Sequence, residues 1–99
     1  MNMKYKISFL PSADEDLLGI RDYLCQFYPN TATNFFAKYD KLLALLRKNP
    51  HVCMKYPYKP QYHRGIAGKY LVFYVIDEKD KTVEIHRVLR ASSDISQLL

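Results

Sequence analysis

Between Asp40 and Asp77 the chain has no carboxylate, while it carries Lys41, Arg47, Lys48, Lys55, Lys59, Arg64 and Lys69. Tyr56, Tyr58, Tyr62, Tyr70 and Tyr74 are interleaved in the second half of that stretch. A run without acids has an unopposed positive field, which attracts phosphates or an acidic protein partner. A solvated basic face without a specific partner is the alternative reading. The net charge of +5 understates the asymmetry, because the acids gather at Asp14, Glu15, Asp16 and Asp22 and again at Asp77, Glu78 and Asp80. Other shortages exclude whole classes. Two cysteines, Cys25 and Cys53, make no CxxC pair, which points to a reduced chain and not a disulfide scaffold. No apolar run approaches the ~20 residues that cross a bilayer. With three glycines there is no glycine-rich phosphate loop, and no paired-carboxylate arrangement stands out. His51-x-Cys53 lacks companions at zinc spacing, so no metal and no cofactor are expected. The opening MNMKYKISFL is interrupted by Lys4 and Lys6 and does not read as a secretory signal, so a cytoplasmic location without membrane contact is expected.

What is present reads as one domain over residues 1–99, large enough for a single modest core. Tyr5, Ile7 and Phe9 alternate with polar residues as in a half-buried strand, which Pro11 ends. Ser12 and Glu15 form a capping-box pattern, and acids in that turn suit the helix dipole. Leu17, Ile20, Leu24 and Phe27 follow at helical spacing, and Pro29 stops the helix at Tyr28. Asn30 or Thr31 is placed to cap a second helix, whose stripe is Phe35, Tyr39, Leu42 and Leu46 with Phe36 and Leu43 beside it. Asn49-Pro50 closes it. After a proline-punctuated, tyrosine-rich connection, residues 62–66, 70–76 and 82–89 read as three strands of an antiparallel meander. Val88-Leu89 breaks the alternation of Val83, Ile85 and Arg87 and points to a bulge there. Residues 92–99 form a short helical turn or a tail.

The predicted fold is therefore α+β, in the order β-α-α-β-β-β, with a helix hairpin packed on one face of a small, mainly antiparallel sheet. Residues 70–76 are apolar on both parities. Leu71, Phe73 and Val75 then form an exposed apolar strip unless a partner, or the chain's own tail, covers them.

Several strings, in this order, resemble the RelE/ParE superfamily of toxins from type II toxin–antitoxin modules. They are Ala13-x-x-Asp16-Leu17-x-x-Ile20-x-x-Tyr23, the helix from Phe35 to Leu46 followed by Asn49-Pro50, Arg64-x-x-x-Gly68-x-Tyr70-Leu71-Val72-Phe73-Tyr74, and Val83-x-Ile85-x-Arg87-Val88-Leu89. Together they span nearly the whole chain. The resemblance implies a growth-arresting toxin silenced by a cognate, acidic antitoxin that lays a segment across Leu71, Phe73, Val75 and Arg64. It also implies one of two targets, DNA gyrase for ParE-like members or messenger RNA on the ribosome for RelE-like ones.

Cleavage of RNA through its 2'-hydroxyl needs a base, cations around the developing phosphorane charge and a proton source. By the resemblance, Arg64 holds a basic position on the concave face. It does not titrate and serves only as a phosphate clamp. Leu71 falls where relatives carry a catalytic arginine. Beyond the last strand the chain reads Arg90-Ala91-Ser92-Ser93-Asp94, with no histidine after His86 and no tyrosine after Tyr74. The catalytic candidates reduce to Arg64, His63, His86 and Arg90, with His63 and His86 about two strand spacings apart as a conceivable acid–base pair. Phosphate or target binding falls to Arg64, Lys69, Arg87 and Arg90. Arg87 has a structural alternative, pairing with Glu15 or Asp16. These features favour gyrase inhibition slightly over messenger RNA cleavage. An inactivated toxin acting only as a binding module is the remaining reading.

Overall fold

The computed structural model describes residues 4–99. Of the opening segment read above as lacking a secretory signal, residues 1–3 lie outside the described residues. The elements follow the expected order: β1 (Lys6–Phe9), α1 (Pro11–Phe27), α2 (Pro29–Lys48), β2 (His63–Ala67), β3 (Tyr70–Asp77), β4 (Thr82–Arg90) and a last turn, α3 (Ile95–Leu98). A short 3-10 turn, Pro50–Val52, follows α2.

Both helices open differently from expectation. Ser12 is not a cap: Leu10 holds the cap position of α1, and Pro11 enters as the first helical residue. Likewise Tyr28, and neither Asn30 nor Thr31, precedes α2, which opens on Pro29. Proline suits that place because its missing N–H has no helical partner there and its φ is already helical. The hairpin joint is therefore a single residue, Tyr28. Its amide donates to the Leu24 carbonyl and its carbonyl accepts from the Ala32 amide. The α2 stripe is as the spacing predicts, with Phe35, Tyr39, Leu42, Leu43 and Leu46 buried.

The sheet has the order β1-β4-β3-β2. The meander pairs are antiparallel, whereas β1 joins β4 in parallel from Lys6↔Thr82 to Phe9↔Ile85. β1 stops there and leaves the outer edge of β4 unpaired beyond Ile85. The start of α1 fills the gap: Leu10 N–H donates to Ile85 O, Ser12 Oγ to His86 O at 2.6 Å, and Val88 N–H to an Asp16 carboxylate oxygen at 3.0 Å. An open strand edge is a template for unwanted pairing, and side chains that satisfy it remove the hazard. That is the work Ser12 and Asp16 do in place of capping the helix.

The bulge falls at His86, not at Val88-Leu89. Phe73 faces Arg87 while Tyr74 faces Ile85, so His86 is the extra residue. Before the bulge Val83 and Ile85 point to the helices, and after it Val88 does.

β3 is apolar on both parities because it is a central strand covered on both faces. Tyr70, Val72 and Tyr74 meet the helices. On the other face the expected exposed strip does not exist as such. Phe73 has 0% exposure, and Leu71 and Val75 are half-buried. The connection between α2 and β2 folds back over this face, bringing Tyr56 against Phe73 at 5.1 Å between ring centroids and Tyr62 at 6.3 Å. Hydrogen bonds Tyr56 N–H to Tyr62 O, Lys59 N–H to Tyr56 O and Tyr62 N–H to Lys59 O hold that connection in shape. Among the described residues no helix is long and apolar enough to cross a membrane.

Candidate functional site

The chemistry-bearing residues divide among four places. On the helix side of the sheet, His63 is buried and stacks on Tyr74 with centroids 5.3 Å apart, and its Nδ1 lies 2.9 Å from Cys53 O. His86 lies on the other side, beside Tyr62 with rings 5.2 Å apart. The two histidines are thus separated by the sheet itself and do not form an acid–base pair, because Ile85 faces the helices and the next residue, His86, points to the opposite side.

The face away from the helices carries Tyr62, Arg64, Glu84 and His86. Tyr62 Oη lies 3.3 Å from His86 Nδ1, and His86 Nε2 lies 3.3 Å from Glu84 Oε1. With a proton on Nε2 facing the carboxylate, Nδ1 is an acceptor for the Tyr62 hydroxyl. This is a carboxylate–imidazole–phenol chain, able in principle to draw a proton from that phenol. Arg64, across from Phe73, stands on the same face with its Nε buried and without a hydrogen-bond partner. Arg87 flanks Phe73 from the other side and so shares this face.

Arg87 sits at the β4 edge and is engaged. Its Nε and Nη2 donate to the two Asp16 carboxylate oxygens at 2.8 and 3.0 Å, and Nη1 donates to Leu98 O at 2.6 Å. It ties α1, β4 and α3 together, as the structural alternative anticipated with Asp16. The hydrogen bonds to Asp16 raise its pKa further, so it stays charged.

Lys69 and Arg90 meet elsewhere, at the joint of the helix hairpin. A groove of about 380 Å³ opens there, and its charged lining is Lys38, Lys69 and Arg90. The Gly68 turn, with φ +61°, presents Lys69, and the Lys38 stem passes over it: a Cβ at Gly68 would lie 4.0 Å from Lys38 Cδ. Tyr23, Tyr28, Phe35 and Tyr70 supply the aromatic walls, with Thr31 and Asn34 as polar neighbours. Burial raises the Tyr70 phenol pKa, with Arg90 acting in the opposite direction. Among the described residues no carboxylate pairs with Lys38, Lys69 or Arg90. Sequence reading missed Lys38 because the acid-free window was drawn from Asp40. The available signal was Thr31, Asn34 and Lys38 at helical spacing on one polar stripe of α2. No group of three or more His, Cys, Asp or Glu able to hold a metal ion occurs among the described residues.

The sequence matches the family model described as ParE toxin of type II toxin–antitoxin system, parDE, over residues 7–95. No significant match is found among curated proteins. Solved structures with the same fold include a chain of the chromosomal ParDE toxin–antitoxin system from P. aeruginosa, with TM-score 0.72 and 16% identity over 93% of this chain and 100% of that one. A chain of the RelBE2 toxin–antitoxin complex from Mycobacterium tuberculosis aligns with TM-score 0.64 and 22% identity, covering 88% of this chain and 98% of that one. A chain of the archaeal RelE–RelB complex from Pyrococcus horikoshii aligns with TM-score 0.62 and 15% identity, covering 91% and 98%.

Proposed function

This chain belongs to the ParE toxin family of type II toxin–antitoxin systems, and on that footing we propose that it arrests growth by binding and inhibiting DNA gyrase, with a cognate acidic antitoxin as its silencing partner. The observation that supports inhibition over cleavage is the dispersal of the cations. A phosphorane is stabilised by donors converging on one point. Here Arg64 and Arg87 flank Phe73 on the sheet face with Arg87 already bound to Asp16, and Lys69 and Arg90 line the groove at the hairpin joint. A binding toxin needs no such convergence. The similar folds occur in complexes with antitoxins, and the basic, acid-free half of this chain is the electrostatic complement of an acidic segment. On the sheet face such a segment meets Leu71, Val75 and Arg64 directly and reaches Phe73 only by displacing Tyr56. A cytoplasmic site of action follows from both targets.

One observation favours a second reading, the ribosome-dependent messenger RNA endonuclease. Glu84, His86 and Tyr62 form a proton chain on the same face as Arg64, which is the nucleus of an acid–base site.

Inducing the chain alone in a bacterium and pulse-labelling DNA and protein synthesis over the first minutes separates the two. DNA synthesis falls first on the gyrase reading, and purified chain inhibits supercoiling by gyrase. Protein synthesis falling first, with supercoiling untouched, would refute it.

A further inference from the structure

The groove at the hairpin joint has a composition that the sheet-face proton chain does not use. Its charges are all positive and all exposed. Asp22, beside Tyr23 in sequence, is engaged by Arg21 at 3.2 Å and so does not offset them. Tyr23 and Tyr28 remain 42% and 53% exposed although both are large aromatics. They form one cluster, with centroids 5.9 Å apart, that continues into Phe27 at 5.3 Å from Tyr23 and 57% exposed. Exposed rings standing together are unusual on a surface with no partner. Cations that track a backbone, beside rings that accept base faces, are the two components of single-strand recognition.

We propose that this groove binds a segment of single-stranded nucleic acid, with Lys38, Lys69 and Arg90 on the phosphates, bases stacked on Tyr23 and Tyr28, and Asn34 available to a base edge. A duplex is excluded because its bases are already stacked and offer no face to the rings. An acidic peptide fits the cations but leaves the rings without a matching group, which is why nucleic acid is the occupant argued. The groove is a different surface from the sheet face that carries the Glu84–His86–Tyr62 chain.

The test is fluorescence anisotropy of a short labelled oligo(dT) titrated with the whole chain at several salt concentrations. The same measurement is made on Lys38→Ala, Lys69→Ala, Arg90→Ala, Tyr23→Ala, Tyr28→Ala and Tyr28→Phe. Each lysine or arginine change should reduce the slope of log K against log salt by about 0.7. Lys48→Ala, which removes a charge at the far end of α2, should leave slope and affinity near the parent values. Tyr23→Ala and Tyr28→Ala should each weaken binding about tenfold, and Tyr28→Phe should retain it because the ring is kept. All of these side chains are exposed, so circular dichroism should report an intact fold. Absence of binding by the parent chain would overturn the proposal. So would salt slopes that do not distinguish Lys69→Ala from Lys48→Ala, or unchanged affinity on losing both rings. Displacement of the oligonucleotide by an equal charge of poly-aspartate would also overturn it, and assign the groove to an acidic protein segment.

Discussion

Asp16 accepts from the Arg87 guanidinium through both oxygens and from the Val88 amide through one of them. The pair is well shielded, with side-chain exposures of 26% for Arg87 and 15% for Asp16. Removing the carboxylate leaves a guanidinium and an edge amide without their acceptor, so Asp16→Ala should destabilise the fold by about 3 kcal/mol. Arg87→Ala should cost less, because the carboxylate keeps the Val88 amide. Asp16→Asn should be intermediate, retaining one acceptor but presenting an amide to Arg87. Urea unfolding of the three variants gives the ranking, and equal stability of Asp16→Ala and the parent would show that the edge needs no such plug. The ion pair was legible in the sequence only as an option. What hid it was the bulge. By simple alternation Arg87 shares a face with Val83 and Ile85, whereas the residue inserted at His86 puts it opposite Phe73 on the far face, from which it reaches Asp16 around the strand edge. A bulge is defined by the partner strand's register, and His86 has no feature of its own that announces it.

The β3–β4 turn shows how one exposed carboxylate can hold three elements. Glu78 accepts from Tyr5 Oη at 2.9 Å, from Lys81 Nζ at 2.9 Å, and lies 2.6 Å from His51 Nε2. It thus links the turn to the segment before β1 and to the 3-10 turn after α2. The hydrogen bonds from Lys81, His51 and Tyr5, in that order, hold its pKa at about 2, against an ordinary 4.5. A carboxylate with a depressed folded-state pKa stabilises above its unfolded pKa and loses that contribution as pH falls through the folded value. Hence the gap in urea midpoint between parent and Glu78→Gln should shrink as pH falls from about 4.5 to about 2. A gap independent of pH would mean that the carboxylate's charge is not what matters. The effect is small, since Glu78 is solvent-exposed. The turn itself was readable from Asp77 to Lys81, because polar residues interrupt two apolar runs. The helices were readable in their stripes and misread at their starts. Ser12, Asn30 and Thr31 are good caps by residue type, yet Pro11 and Pro29 took the first helical position. Leu10 and Tyr28 before them cap with no side-chain bond.

At the scale of the molecule, the sheet separates two surfaces of different chemistry. One face carries Tyr62, Arg64, Glu84 and His86 over a floor of Phe73. The hairpin joint carries Lys38, Lys69 and Arg90 beside exposed rings. The sequence showed the cations but not their partition, since Arg64 and Lys69 are neighbours in the chain and fall to different surfaces only once β2 and β3 are paired. This partition makes the two toxin readings separable without knowing the target. Tyr62→Phe combined with His86→Asn removes the proton chain while keeping the ring and the approximate shape of each side chain. The bonds broken are long, 3.3 Å each, so the cost to stability should be below about 1 kcal/mol. If the chain acts by binding gyrase, growth arrest on induction should persist in this double variant at matched protein levels, with DNA synthesis still the first to fall. If it cleaves RNA through that face, arrest should disappear while the thermal midpoint stays within a few degrees of the parent. A double variant that folds, reaches the parent's level and no longer arrests growth therefore moves the assignment to the nuclease, and Arg64→Ala then becomes the variant that asks whether the guanidinium beside that chain holds the phosphate.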